Sequence, residues 1–204
     1  MKPIAKPAVW AAIIGPIQSV LGWTIAGALW AGYDPVRQTI SDLAAAESPV
    51  KLIMSSFFVF GGTLTLIASI FARTLGMPGR VALFLTAIAT YGLTIFPTPL
   101  VGYSIMHRIF AITSFVLSAA WPLLALRRSK DAPWMLRPAA SIIATVLQAA
   151  LAIGFMIVWV DDKAPELGVG VWERVVAVEQ SAYISLVVLA CYFIQRRTSG
   201  IKAN

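Results

Sequence analysis

The chain has 204 residues, of which 59% are hydrophobic and 12% charged, and its formal net charge is +7. A water-soluble domain carries about 25% charged residues, so this sequence lacks the polar surface to cover a soluble globule, and its natural solvent is a bilayer. The lone cysteine, Cys191, excludes an intrachain disulfide, and the lone histidine, His107, excludes a zinc site built from several His or Cys ligands; no cofactor motif is present.

A spanning helix needs about 20 apolar residues, because the hydrocarbon core is ~30 Å thick and each residue rises ~1.5 Å. Six stretches meet that requirement, at about 9–31, 51–72, 80–97, 107–126, 139–160 and 173–195. The first follows a basic start, MKPIAKP, and runs too long for the apolar core of a signal peptide, so it reads as a retained membrane helix. It carries Pro16, Gln18 and Trp23, with Gly15, Gly22, Ala26 and Gly27 as small residues for close helix contact.

The segment between the first two spans is rich in turn and ionisable residues. Tyr33-Asp34-Pro35 reads as a turn leaving the first helix. Thr39 and Asp42 have capping-box spacing, which predicts a short helix at that point. Ser48-Pro49 predicts an N-cap and first helical residue for the second span. That span offers Gly61 and Gly62, and the loop RTLGMPGR leads to the third, whose far end is broken by Pro97 and Pro99. His107 opens the fourth span. Arg127, Arg128, Lys130 and Arg137 follow it, and the fifth span holds Gln148 and Gly154. In the last, Glu179 lies seven residues past Trp172, roughly 10 Å along the helix. Glu173 and Arg174 stand nearer its start, and a local ion pair accounts for both. Gln18, Gln148 and Gln180 are expected to bond to a neighbouring helix or to line a polar pocket.

Six crossings place both termini on one side. Putting them in the cytoplasm leaves eleven basic residues inside and five outside, as the positive-inside rule requires. Eight of the nine acids then fall on the outer half, with Asp131 the exception. Trp10 and Trp30, Trp121 and Trp134, and Trp159 and Trp172 stand where headgroup anchors are expected. The fold class is therefore an all-α, polytopic bundle of six transmembrane helices, a single transmembrane domain over residues 1–204.

Three ionisable residues share the outer half. Asp42, His107 and Glu179 could meet in an outward-facing pocket, with Ser41 as a nucleophile and His107 as the base whose unperturbed pKa lies near neutrality. A carboxylate as deep as Glu179 is expensive in lipid unless paired or wet. Tyr33, Arg37, Arg108 and Arg174 are candidate ligand-binding residues, the arginines supplying charge for a lipid phosphate or ester carbonyl. The pattern leaves three functional classes open: a protein that binds or organises lipid or a partner, a lipid hydrolase or acyltransferase of the outer leaflet, and a small-solute or proton-coupled transporter. Membrane lipid is the expected partner, with a homodimer or second membrane protein as alternatives, and nucleic acid is not expected.

Tyr33-Asp34-Pro35, then Ile40-Ser41-Asp42-Leu43, a glycine-containing second span and a later span opened by His107 together resemble a bacterial family of integral membrane proteins known as domain of unknown function 998. More distantly, Ile40-Ser41-Asp42 followed by Ser48-Pro49 is similar to the pattern of the DRAM/Sfk/FRAG six-helix membrane proteins, although Val50 stands where those have an acid. The resemblance implies a six-helix bundle in the bacterial inner membrane, points to Ser41, Asp42 and His107, and brings no established reaction.

Overall fold

The computed structural model describes residues 3–130, 132–161 and 163–201, with side chains described through residue 197. Four residues used in the charge reading, Lys2, Asp131, Asp162 and Lys202, lie outside the described residues. The described residues form seven α-helices and no strand: α1 (Lys6–Leu29), α2 (Ile40–Leu43), α3 (Lys51–Phe71), α4 (Met77–Ile95), α5 (Ile105–Leu124), α6 (Pro138–Trp159) and α7 (Val169–Ile201). All but α2 are long and apolar enough to cross a membrane, so this is a multi-pass membrane protein.

Helix ends differ from expectation by a few residues, for local reasons. Pro78 and Gly79 fall inside the first turn of α4, where a missing N–H costs nothing, so that helix begins at Met77 rather than near residue 80. It ends at Ile95, ahead of Pro97. The Ser48 hydroxyl does not cap α3. It donates to the Leu43 carbonyl (2.8 Å) and accepts from the Val50 N–H (3.2 Å), which holds a turn and delays the helix to Lys51. The last helix begins four residues earlier than the apolar run, at Val169.

The spanning helices pack in chain order, α1 on α3, α3 on α4, and so on to α6 on α7, and the ring closes with α7 against α1. Small residues set several of these contacts: a Cβ on Gly22 would lie 2.7 Å from the Phe57 ring, and one on Gly62 would lie 2.9 Å from Tyr91. Gly15 is different. No atom lies within 4 Å of its virtual Cβ, because it borders a partly open space between the helices.

At the basic end, several cations are structural. Arg80 donates to the carbonyls of Ser69 (2.7 Å) and Ile70 (2.8 Å), which the end of α3 leaves without helical partners. Arg127 donates to the carbonyls of Thr74 (3.1 Å) and Leu75 (3.0 Å) in the loop between α3 and α4. The Ile4 N–H donates to Gln195 Oε1 (3.1 Å), tying the first segment to the last helix. Trp121, expected at the headgroup level, is instead fully buried, its ring 5.6 Å from that of Tyr183.

Candidate functional site

The acidic end is built around the α1–α3 connection. Thr39 and Asp42 form the anticipated capping box: the Asp42 N–H donates to Thr39 Oγ1 (3.0 Å), and the Thr39 N–H donates to Asp42 Oδ2 (2.7 Å). This short helix α2 turns its first N–H groups toward α7. Glu173, buried to 5% exposure, accepts from the Ile40 N–H and from the Ser41 hydroxyl (2.9 Å), with a longer contact to the Ser41 N–H (3.4 Å). The expected Glu173–Arg174 pair is not made. The carboxylate turns inward and the guanidinium turns to the connecting loop.

Arg174 completes the clasp. It donates to the carbonyls of Pro35 (2.9 Å) and Gln38 (3.1 Å) and to the Tyr33 hydroxyl (2.5 Å). Tyr33 in turn donates to the Thr39 carbonyl (2.8 Å). Burial pushes the Tyr33 phenol up to about 12, against the opposing charge and hydrogen bond of Arg174. Burial also raises the Asp42 pKa from its ordinary value, opposed by its hydrogen bonds with Thr39 and, at longer range, by His107 and Arg174. A backbone contact brings the loop onto α7 as well: the Gly170 N–H donates to the Val36 carbonyl (3.0 Å), and a Cβ at Gly170 would fall 2.1 Å from the Gln38 carbonyl oxygen. Only glycine permits that approach.

The remaining candidates are dispersed. His107 is buried, with Nδ1 3.0 Å from the Phe96 carbonyl and Nε2 without a partner among the described residues. It lies within electrostatic range of Asp42, but the Ser41 hydroxyl donates to Glu173 and not to an imidazole. Arg37 is exposed beside Asp34 (3.7 Å). The Arg108 guanidinium sits over the Tyr103 ring at 4.3 Å, with Trp159 at 5.4 Å. Glu179 is half-buried, and its Oε2 has no partner among the described residues. At 100° per residue it stands well off the face of α7 that carries Glu173, Ala177, Gln180 and Ile184.

That face borders a partly open cavity of about 180 Å³, lined by α1, α3, α4, α5 and α7 and roofed by Ile40 and Ser41 of α2. Helix α6 contributes nothing to it. Along α7 the lining runs from Glu173 to Ser185, a length of about 18 Å. The walls mix apolar groups, among them Trp23, Phe57 and Phe115, with Gln18, Gln180 and a set of hydroxyls. Of the residues singled out in the sequence for chemistry, only Ser41 borders it. None of the arginines offered for a lipid phosphate does. Glu173 was not singled out. The signal available was a polar stripe, Glu173, Gln180, Ser181 and Ser185, recurring at helical spacing in an otherwise apolar segment. Gln148, on α6, is fully buried with neither amide atom bonded among the described residues. Those residues also contain no cluster of three His, Cys, Asp or Glu able to hold a metal.

Residues 13–190 match the family model described as protein of unknown function (DUF998), and the chain belongs to that family. No curated protein and no solved structure matches the chain.

Proposed function

We propose that this member of the family is a binding protein of the bilayer, whose cavity holds one chain of a membrane amphiphile beneath the α2 roof. The observation that carries the reading is the cavity itself. Protein interiors are close-packed, and a space of this size between spanning helices forfeits packing energy unless something fills it. An apolar cavity of about 150 Å³ takes a molecule the size of benzene. The 180 Å³ here therefore fits a single chain or a small amphiphile.

The hydrolase reading has less support. Ser41 has a buried carboxylate as its acceptor, while His107 is bonded elsewhere, so no nucleophile–base pair of the Ser–His kind is assembled among the described residues. The transporter reading relied on Glu179, which stands outside the cavity. Charge sorting supports a cytoplasmic placement of the basic end, with the clasp and roof facing outward, and the bacterial cell membrane is the location that the family resemblance implies.

Gly15 gives a clean test, since its side-chain position opens onto the cavity without a contact. Gly15→Leu fills the space and leaves the helix contacts intact. In native mass spectrometry of the purified protein, the wild type is expected to carry a bound amphiphile that the leucine variant has lost, at unchanged thermal stability. An amphiphile bound equally by both, or none on the wild type, overturns the reading.

A further inference from the structure

Polarity in the cavity runs opposite to that of the bilayer around it. Depth along each helix follows from the rise of ~1.5 Å per residue, counted from the helix end nearest the α2 roof. The large apolar side chains Trp23, Met54, Phe57, Phe58 and Leu93 all lie within about 11 Å of those ends. Gln18, Ser19, Thr65, Ser114, Ser118 and Gln180 lie about 13–21 Å down, near the middle of a ~30 Å hydrocarbon core. Leu64, Phe115 and Ile184 share that deeper region. The polar groups closer to the roof are already bonded, the Ser41 hydroxyl to Glu173 (2.9 Å) and the Thr90 hydroxyl to the Thr86 carbonyl (3.0 Å).

The deep groups offer both halves of a hydrogen bond. The Ser114 and Ser118 hydroxyls bond to no described residue, and Ser118 is only 5% exposed. The Ser19 hydroxyl accepts a long contact from Gln18 Nε2 (3.5 Å) and keeps its own donor. Gln18 Oε1 is buried with no partner among the described residues, which leaves an acceptor at the same depth. No Lys, Arg or His is among the described residues that line the cavity, and the Glu173 carboxylate is already satisfied by Ile40 and Ser41 of the roof.

An amphiphile aligned with the surrounding lipid would set its head against the aromatic walls and its chain against the hydroxyls. Ser118 and Gln18 Oε1 would then stay unpaired, at a cost in free energy. The inverted pose matches polar with polar and apolar with apolar. It carries the head to mid-membrane, where an unpaired charge costs far more than a hydrogen-bonded neutral group. We infer that the cavity takes a single-chain lipid with an uncharged hydroxyl head, seated with the hydroxyl at the depth of Gln18 and Ser118 and the chain running up beneath the roof. This rests on the cavity-binding reading above and names the class of its ligand.

The test uses a decanol bearing a diazirine at the far end of its chain, photolysed with protein in nanodiscs of zwitterionic lipid. Labelled positions are read by mass spectrometry, and label common to wild type and Gly15→Leu is subtracted as lipid-facing. The remaining label is expected on Trp23, Phe57 and Phe58. Unlabelled n-decanol is expected to displace it at least ~10-fold more effectively than n-decylammonium or n-decyl phosphate, since a charge at that depth has no partner. In Ser118→Ala the probe concentration that half-saturates labelling is expected to rise ~2- to 10-fold, the equivalent of one neutral hydrogen bond. Label around Leu64 and Thr65 instead, a charged competitor that matches n-decanol, or half-saturation unmoved by Ser118→Ala overturns the inverted neutral ligand and leaves the binding proposal standing. Labelling that does not distinguish wild type from Gly15→Leu overturns both.

Discussion

The Glu173 clasp makes a quantitative prediction. Its carboxylate satisfies the Ile40 N–H, the Ser41 hydroxyl and, less closely, the Ser41 N–H. Glu173→Ala removes all three acceptances and leaves the buried Ile40 donor without a partner. An orphaned buried donor costs about 1–3 kcal/mol, and bonds to a charged acceptor contribute more than neutral ones. Taking the Ile40 N–H in full and the Ser41 groups at a discount gives a local loss of about 2–4 kcal/mol. The loss falls on the 35–48 segment, because the spanning helices keep their own backbone bonds and their contacts with one another. At 1.4 kcal/mol per decade, amide exchange across α2 should accelerate about 30- to 1,000-fold, while exchange in the centres of α4 and α5 stays unchanged. Glu173→Gln keeps one acceptor oxygen and should show a smaller acceleration. Hydrogen exchange read by mass spectrometry resolves these segments. Protection of residues 36–44 in the alanine variant within ~3-fold of wild type would refute the clasp.

Two further outcomes follow from the same end of the bundle. Gly170→Ala places a methyl 2.1 Å from the Gln38 carbonyl oxygen and 2.5 Å from that of Pro35, so the loop must lift and Arg174 loses two acceptors. A cost of about 1–3 kcal/mol is expected, read as a lowered melting temperature, and an unchanged melting temperature would contradict the close approach. Tyr33 should ionise only near pH 12, so its tyrosinate absorbance, isolated by comparison with Tyr33→Phe, should be absent at pH 10. With the folded pKa raised above the unfolded one, the Tyr33 contribution is whole below pH 10 and is lost as pH rises from 10 to about 12. Ionisation of Tyr33 at pH 10 in the folded protein would contradict its burial.

The spans were legible because crossing a bilayer demands apolar length, a property of contiguous sequence. The capping box was legible for a similar reason: Thr39 and Asp42 are three residues apart, and their bonds are local. The Ser48 cap was misread because the hydroxyl had a competing carbonyl, that of Leu43, five residues back. Glu173 was hidden by its neighbour. Next to Arg174 it suggests a trivial ion pair, and nothing local shows that its partner donors lie 133 residues earlier, at Ile40. The cavity is likewise a property of five helices taken together, and Gly15, which looks like any other packing glycine in sequence, opens onto it.

The ring that closes with α7 on α1 also imposes an order on biosynthesis. Residues 33–42 leave the ribosome early, but the acid and the arginine that secure them come about 133 residues later. At ~5–20 residues per second the nascent chain waits roughly 7–27 s for those groups. During that interval the first connecting loop lacks its clasp to the last helix and the central space has an open side. Translation must therefore reach the last helix, from Val169 on, before the roof can be fastened.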